Sequence, residues 1–581
     1  MKNCSKLLAL LLALVMVLGM FAGCGSETAS SAPAEESTAA ASEAEAPAEE
    51  APAEEPAEEG SAVEEASVVE EAPVESGEIV LESMEVPLVD EAVHYSCWIP
   101  VAPYVSNMMN LEDFSEKTAI VKLINETTNV FIDFNAVAGG MVEEESFNLM
   151  IAGGDYTDII GVMNYYSTGH EGAIVDEVII DLKDDLQEYA PNYWALLTSN
   201  DNAYMTQLTE SGYMGCIAQL LKKAGTENQG MVIRKDWYEE SGVESVETVA
   251  GFEEYLEYAY ETYGAYAYMN YGGLEPNFAA MFNTTGGMEV HDGKVVHTYD
   301  SEEFKNYLTK MNEWYKKGWI NDDFYNDTDV TTVRQDMAND LCSYVEGSAT
   351  NMSHIYDMNL ENEKMALMGI DYPKAEGVEE INVAKATTII KNSDTWAVST
   401  ACEDHTDLLK LVNWLYSEEG QFLYNWGEEG VGHVIDENGE PQWSDLVVAN
   451  PDGLNFMFAS YLFATGTGSV FFPGVYDMEK EFYSYDDDQL AAVDIFASMG
   501  DDDSWSMPSY VSLTIDEQIE YNSYATDLET YTEGMILKFV MGDEPMENYD
   551  AFVEQCYDMG LQEMLDLYQG AYDRAMEVLN A

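Results

Sequence analysis

The chain is 581 residues long and carries 110 Asp and Glu against 23 Lys and Arg, a formal net charge of −87. That balance excludes a nucleic-acid binder, whose target phosphates must be neutralised by lysine and arginine. It also disfavours polyanionic ligands and anionic headgroups, so neutral or cationic ligands fit better.

Lys2 and Lys6 precede an uncharged run from Leu7 to Phe21, which ends at Ala22-Gly23-Cys24-Gly25. A basic head, an apolar middle and small residues at a cleavage point are the parts of a secretory signal. The apolar run is about 15 residues, short of the roughly 20 a helix needs to cross a bilayer. Its small-small-Cys ending resembles the lipobox of bacterial lipoproteins, with Phe21 where leucine is usual. The resemblance implies a signal peptide over 1–24, acyl chains on Cys24 and an anchor on the extracellular face of the cytoplasmic membrane. A plain signal peptide with an incidental cysteine is the competing reading. Residues 25–87 are mostly Ala, Glu, Pro and Ser, with almost no large apolar side chain before Val63. Such a segment cannot offset its ordering entropy, and it reads as a disordered acidic spacer.

From about residue 88 the composition turns globular, and the remainder is too long for a single core, so two or more lobes are expected. Ala92 to Ile99 predicts a strand, Leu111 to Thr127 a helix and Val130 to Val137 a second strand. In one sheet that unit is parallel and right-handed. A helix through Phe147, Leu149, Met150 and Ile151 follows, then the turn Gly153-Gly154-Asp155-Tyr156 and a strand from Asp158 to Val162. This alternation indicates an α/β layer architecture. Thr387 to Ile390 predicts another strand, with Trp396 in a polar loop after it. Ser301 is placed to cap a helix that buries Phe304, Tyr307, Leu308, Met311, Trp314 and Tyr315 and stops at Gly318. Asp407 to Tyr416 predicts a helix ended by Gly420. Thr514 and Glu517 form a capping-box pattern before a long helix towards Val540. Asp550–Tyr557 and Leu561–Val578 complete a largely helical carboxyl-terminal region.

Several segments resemble the extracellular solute-binding proteins of family 1, in that family's order: 147–160, 179–193, 231–243, 417–443, 513–543 and 568–574. The last three are similar to its long LipO-type lipoproteins. The resemblance implies a two-lobed periplasmic-binding-protein-like α/β fold with hinge strands. Lobe 1 would take about 88–215 and 390–450, and lobe 2 about 216–389 and 451–581. It further implies capture of an oligosaccharide by a monomer, delivery to the permease subunits of an ABC importer, no catalysis and no cofactor. Long relatives often carry an Asp- and Asn-rich calcium loop where this chain reads TYGAYAYMNYGGLEP (262–276), with no carboxylate before Glu275. Calcium needs six to eight oxygen ligands, so no metal is expected there. NDDFYNDTD (321–329) lacks the loop spacing and reads as a solvated turn.

A sugar site needs aromatic faces for C–H stacking beside polar side chains for hydroxyls. Candidate ligand contacts are Asp155 and Tyr156 in the Gly-rich turn, Trp396 after the hinge strand, Trp426 with Glu429 in a Gly-bounded loop, and Asn283. Trp314 and Trp319 read as packing residues. There is no GxxxxGK[ST], HExxH or GxSxG pattern, and the seven histidines are dispersed. GTGS at 466–469 lacks the lysine of a phosphate loop. A surface glycosidase stays open, because a carboxylate pair is defined by separation in space; so does capture of a peptide or polyamine. Cys97, Cys216, Cys342, Cys402 and Cys556 lack any CxxC spacing, which leaves one unassigned disulfide possible and a zinc ribbon excluded.

Overall fold

The computed structural model describes residues 79–101, 110–138, 143–223, 229–326, 330–362, 364–383, 388–454, 456–464, 472–499 and 503–579. The signal, Cys24, nearly all of the spacer, Thr387 and GTGS fall outside them. Residues 77–581 form one compact unit, and its start is already bonded to the body. Glu82 N–H donates to Asn192 Oδ1 (2.6 Å) and Leu88 N–H to the Thr128 carbonyl (2.9 Å). Residues 82–87, which the expected boundary gave to the spacer, are thus in contact with the body.

In chain order the strands are β1 (Val93–Val101), β2 (Val130–Ala138), β3 (Ile159–Ile160), β4 (Ile217–Leu221), β5 (Gln229–Arg234), β6 (Tyr266–Ala267) and β7 (Met288–His291). They continue with β8 (Lys294–His297), β9 (Cys342–Ser348), β10 (Leu367–Ile370), β11 (Ile390–Val398), β12 (His433–Ile435), β13 (Pro441–Trp443) and β14 (Val475–Tyr476). One sheet has the order β14-β4-β11-β3-β1-β2 and the other β10-β5-β9-β6. β1 pairs in parallel with β2, from Val93↔Val130 to Val101↔Ala138, as the strand-helix-strand pattern predicted. Near-continuous apolar runs in β1 and β4 fit a sheet covered on both faces. The connecting helix is not continuous over 111–127. Thr118 is extended (φ −83°, ψ 107°), and the second half, Ala119–Thr128, buries Ile120, Val121 and Ile124 before ending at left-handed Asn129.

The first sheet is packed by helices Lys183–Tyr189, Pro191–Thr198 and Thr406–Leu415, whose Leu186, Tyr193, Leu197, Leu408 and Val412 are buried with the strands. The second sheet shares its core with the carboxyl-terminal helices Ile515–Met541, Tyr549–Asp558 and Leu561–Leu579. Ser301 caps the helix Glu302–Lys317 and Gly318 ends it at φ 75°. Thr514 and Glu517 complete their capping box. Trp314 and Trp319 are buried in this core.

The chain passes between the sheets after β4, before β11 and after β14. Ile217–Leu221 and Val475–Tyr476 lie in the first sheet, although the expected boundaries gave both to the second lobe. The reason is that the crossing strands complete the first sheet before leaving it. Gly420 does not end a helix. Ser417 caps a new helix, Glu418–Trp426, that contains it, and a Cβ on Gly420 would stand 1.9 Å from the Trp414 carbonyl oxygen. Trp396 lies on β11 and not in a loop. All five cysteines beyond Cys24 are free and buried, so none pairs with another. Among the described residues no helix is long and apolar enough to cross a membrane.

Candidate functional site

β1, β2, β3 and β4 run in one direction, so Val101, Ala138, Ile160 and Leu221 end on a common edge. Ligands of open α/β sheets bind outside such carboxyl ends. Gly161 begins the segment beyond β3 and donates its N–H to the Trp98 carbonyl (2.8 Å). A Cβ there would come within 2.5 Å of Ile99 Cγ2, so only glycine fits without a shift. Val162 follows at φ 99°, a left-handed backbone that a β-branched residue adopts only under strain. Strain of this kind concentrates at binding sites, where the surrounding structure holds it in place.

Tyr156, Tyr165 and Tyr166 are half-buried against one cluster with Trp98, Phe147 and Ile160 at this edge. The Tyr165 hydroxyl donates to Glu143 and the Tyr166 hydroxyl to Asp176 (2.7 Å). Burial, then the Glu143 carboxylate, pushes Tyr165 up to about 12. Burial and Asp176 raise Tyr166 further. Both phenols therefore stay protonated at neutral pH.

The second lobe meets this edge through its carboxyl-terminal helices. Asn522 Nδ2 donates to the Ser167 carbonyl (3.1 Å), and Thr206 and Ser509 share a hydroxyl bond (2.9 Å). Arg574 bonds Glu210 of the first lobe through Nε and Glu517 of the second through Nη2 (2.6 Å). Burial alone would raise the Glu517 carboxyl, but Arg574 and Thr514 together hold it below the usual carboxylate range. On the other side, the turn Met478–Ser484 after β14 carries a second polar network. Lys480 Nζ donates to Asn425 Oδ1 (3.0 Å), and Thr350 donates to Glu481 (2.6 Å). Burial lowers the Lys480 ammonium to about 7.

The sequence candidates do not come together. Asp155 is exposed in the turn beside half-buried Tyr156. Trp396 has no exposed surface and packs on Phe472, with ring centroids 5.5 Å apart. A bulged strand, and not a loop, carries it into the core. Trp426 is also buried, 4.5 Å from Trp443, while Glu429 points to solvent in the turn before β12. Asn283, left-handed at φ 59°, is buried in the second lobe and bonded both ways to Asn382, at 3.0 and 2.6 Å. Tyr165 and Tyr166 are not among the sequence candidates, although two tyrosines between Gly161 and Gly169 are a readable signal. His170, Cys216 and Asp394, which converge beside them, gave no signal in spacing.

Residues 110–422 match the family described as bacterial extracellular solute-binding protein. No curated protein matches the chain in sequence. Among solved structures, the alginate-binding protein AlgQ2, determined without calcium ion, is similar at 19% identity and a TM-score of 0.67, over 84% of this chain and 100% of that one. An HMO-binding, ABC-transporter associated solute-binding protein from Bifidobacterium longum infantis is 16% identical, with a TM-score of 0.65 over 84% and 99% of the two chains. An EF-hand mutant of S. pneumoniae FusA, in complex with fructo-nystose, gives 16% and 0.65 over 84% and 100%. The chain belongs to the bacterial extracellular solute-binding protein family.

Proposed function

We propose that the protein is a lipoprotein, acylated on Cys24, that captures an oligosaccharide between its lobes and delivers it to an ABC importer. The observation that carries the ligand class is the half-buried tyrosine cluster at the carboxyl edge of the first sheet. Tyr156, Tyr165 and Tyr166 offer apolar ring faces, and the Tyr165 and Tyr166 hydroxyl oxygens, whose protons go to Glu143 and Asp176, are left to accept from sugar hydroxyls, the combination of stacking and polar contact a sugar needs. Asp155 stands beside them. The similar structures named for alginate, HMO and fructo-nystose support the same class. The acidic composition favours a neutral sugar over a uronate. The protein binds and does not cleave, works as a monomer and needs no cofactor in this reading. Asn283 is placed to hold the wall of the second lobe, while the burial of Trp396 and Trp426 gives both a packing role.

A thermal-shift and calorimetric screen against neutral oligosaccharides, uronate oligomers, short peptides and polyamines tests the ligand. A ligand at 100 times its Kd stabilises the fold by about 2.7 kcal/mol. Stabilisation by a neutral oligosaccharide recovered intact is expected, with affinity lost in Tyr165→Ala and Tyr166→Ala. Stabilisation only by peptides or polyamines would replace the ligand class, and cleavage of the sugar would replace the binding-protein reading. Mass spectrometry of the mature amino terminus tests the anchor: an acylated Cys24 is expected, and an unmodified terminus elsewhere overturns it.

A further inference from the structure

His170, Cys216 and Asp394 come from three separate parts of the first lobe and meet with their donor atoms within 4.8 Å of one another. His170 Nε2 is 2.8 Å from Asp394 Oδ1 and 3.6 Å from Cys216 Sγ. Three backbone features produce the convergence. His170 enters from the first turn of the helix Gly169–Val175, after left-handed Gly169. Gly215 lets the ring lie against the chain beside Cys216, since a Cβ there would be 3.0 Å from His170 Cβ. The β11–β4 pairing shifts register between Asn392 and Trp396, a bulge that re-aims Asp394 off the ladder.

A nucleophile relay would place the thiol on one imidazole nitrogen and the carboxylate on the other. Here both groups face the same nitrogen, so no proton can pass from one to the other through the ring. Convergence of a thiol, an imidazole nitrogen and a carboxylate on one point is instead what a tetrahedral cation requires. Bonds of about 2.0–2.3 Å place neighbouring donors roughly 3.3–3.7 Å apart. The His170–Cys216 separation already has that value, and the His170–Asp394 contact opens by about half an ångström once an ion replaces the proton between them. We propose that His170, Cys216 and Asp394 bind a borderline-soft divalent cation of the zinc class, with a fourth position left to solvent.

The donor set decides the class. Thiolate with imidazole selects zinc-like ions, whereas calcium and magnesium require all-oxygen shells. His170 and Asp394 keep 23% and 21% of their side-chain surface exposed, which gives the ion a way in, while Cys216 is buried. A metal-bound Cys216 is a thiolate and a metal-bound His170 nitrogen carries no proton. Binding therefore releases protons and weakens as pH falls.

The test uses the full mature chain, reduced and titrated with cobalt(II) and then zinc(II). One cobalt per chain is expected, with a sulfur-to-cobalt charge-transfer absorption that an equivalent of zinc abolishes. Cys216→Ser should lose the absorption, and Asp394→Asn should weaken cobalt binding at least tenfold. Near-ultraviolet circular dichroism establishes that each variant is folded; Asp394→Asn keeps side-chain shape and serves if the buried serine perturbs the core. An acidic surface binds cations through carboxylates alone, without a thiolate absorption. Cobalt bound with no such absorption, or an absorption that persists in Cys216→Ser, overturns the site.

Discussion

Glu275 has no contact with solvent and caps the helix Pro276–Ala280, accepting from the Phe278 N–H (3.0 Å) and the Tyr344 hydroxyl (2.7 Å). Burial first, and then the nearby Glu346, pushes its carboxyl up to about 7, against these bonds that favour the charge. A carboxyl that keeps its proton to higher pH in the folded than in the unfolded chain stabilises the fold at low pH. That contribution is complete below about 4.5 and is lost as pH rises towards 7, by an amount on the order of 3 kcal/mol. Denaturation of wild type and Glu275→Gln across pH 4 to 8 should show a fall in stability over this window that the variant lacks. Parallel profiles would mean that Glu275 titrates as in the unfolded chain. Val162 gives a second residue-scale prediction. Replacing it with glycine relieves a left-handed β-branched backbone, worth about 1–3 kcal/mol, against about 0.5–1 kcal/mol of added chain entropy. Val162→Gly is therefore expected to stabilise the free protein by about 1 kcal/mol, measured by chemical denaturation. A destabilised variant would show that the valine side chain contributes more packing than its backbone costs.

Element boundaries were legible where their cause is local. Ser301 with Gly318, and Thr514 with Glu517, announce helix ends through hydrogen bonds within a few residues, and the structure carries all four. Gly420 misled because a glycine after an apolar helix reads as a stop, whereas here it allows two consecutive helices to touch. With a Cβ 1.9 Å from the Trp414 carbonyl oxygen, Gly420→Ala must separate them, at about 1–3 kcal/mol or more. Thermal unfolding checks this, and an unchanged midpoint would mean that the turn at Ser417 yields freely. The sequence around Trp396 reads as a loop because Asn392, Ser393 and Asp394 are poor strand formers. The bulge in β11 accommodates them and leaves Trp396 facing the core. Sheet order was beyond reach for a related reason. β14 is two residues long, too short for any periodicity to mark, and the strand read at 158–162 shrinks to the two residues of β3, with nothing in its pattern to name its neighbours β1 and β11. The tyrosines of the candidate site were visible as residues, but their shared cluster depends on a sheet edge that only the assembled topology creates.

For the whole molecule, the question is what holds the lobes together when no ligand is bound. Among the described contacts between the first lobe and the carboxyl-terminal helices are polar ones, with Arg574 reaching Glu210 on one side and Glu517 on the other. Arg574 keeps about a third of its side chain exposed, so solvent screens these pairs, and their net worth is about 0–1 kcal/mol. That is small against global stability. Yet any protein balanced between two arrangements of its lobes is moved several-fold by a change on the order of 1 kcal/mol. Arg574→Met keeps the aliphatic stem and leaves the Thr514–Glu517 capping box in place, so the long helix should remain capped. Its thermal midpoint is expected to stay near that of wild type, while its ligand-free radius of gyration in solution scattering increases. High salt should carry wild type part of the way towards the variant, because screening weakens the same ion pairs. If variant and wild type scatter identically at low salt, the lobes are held by their buried crossing strands alone and Arg574 is only a surface contact.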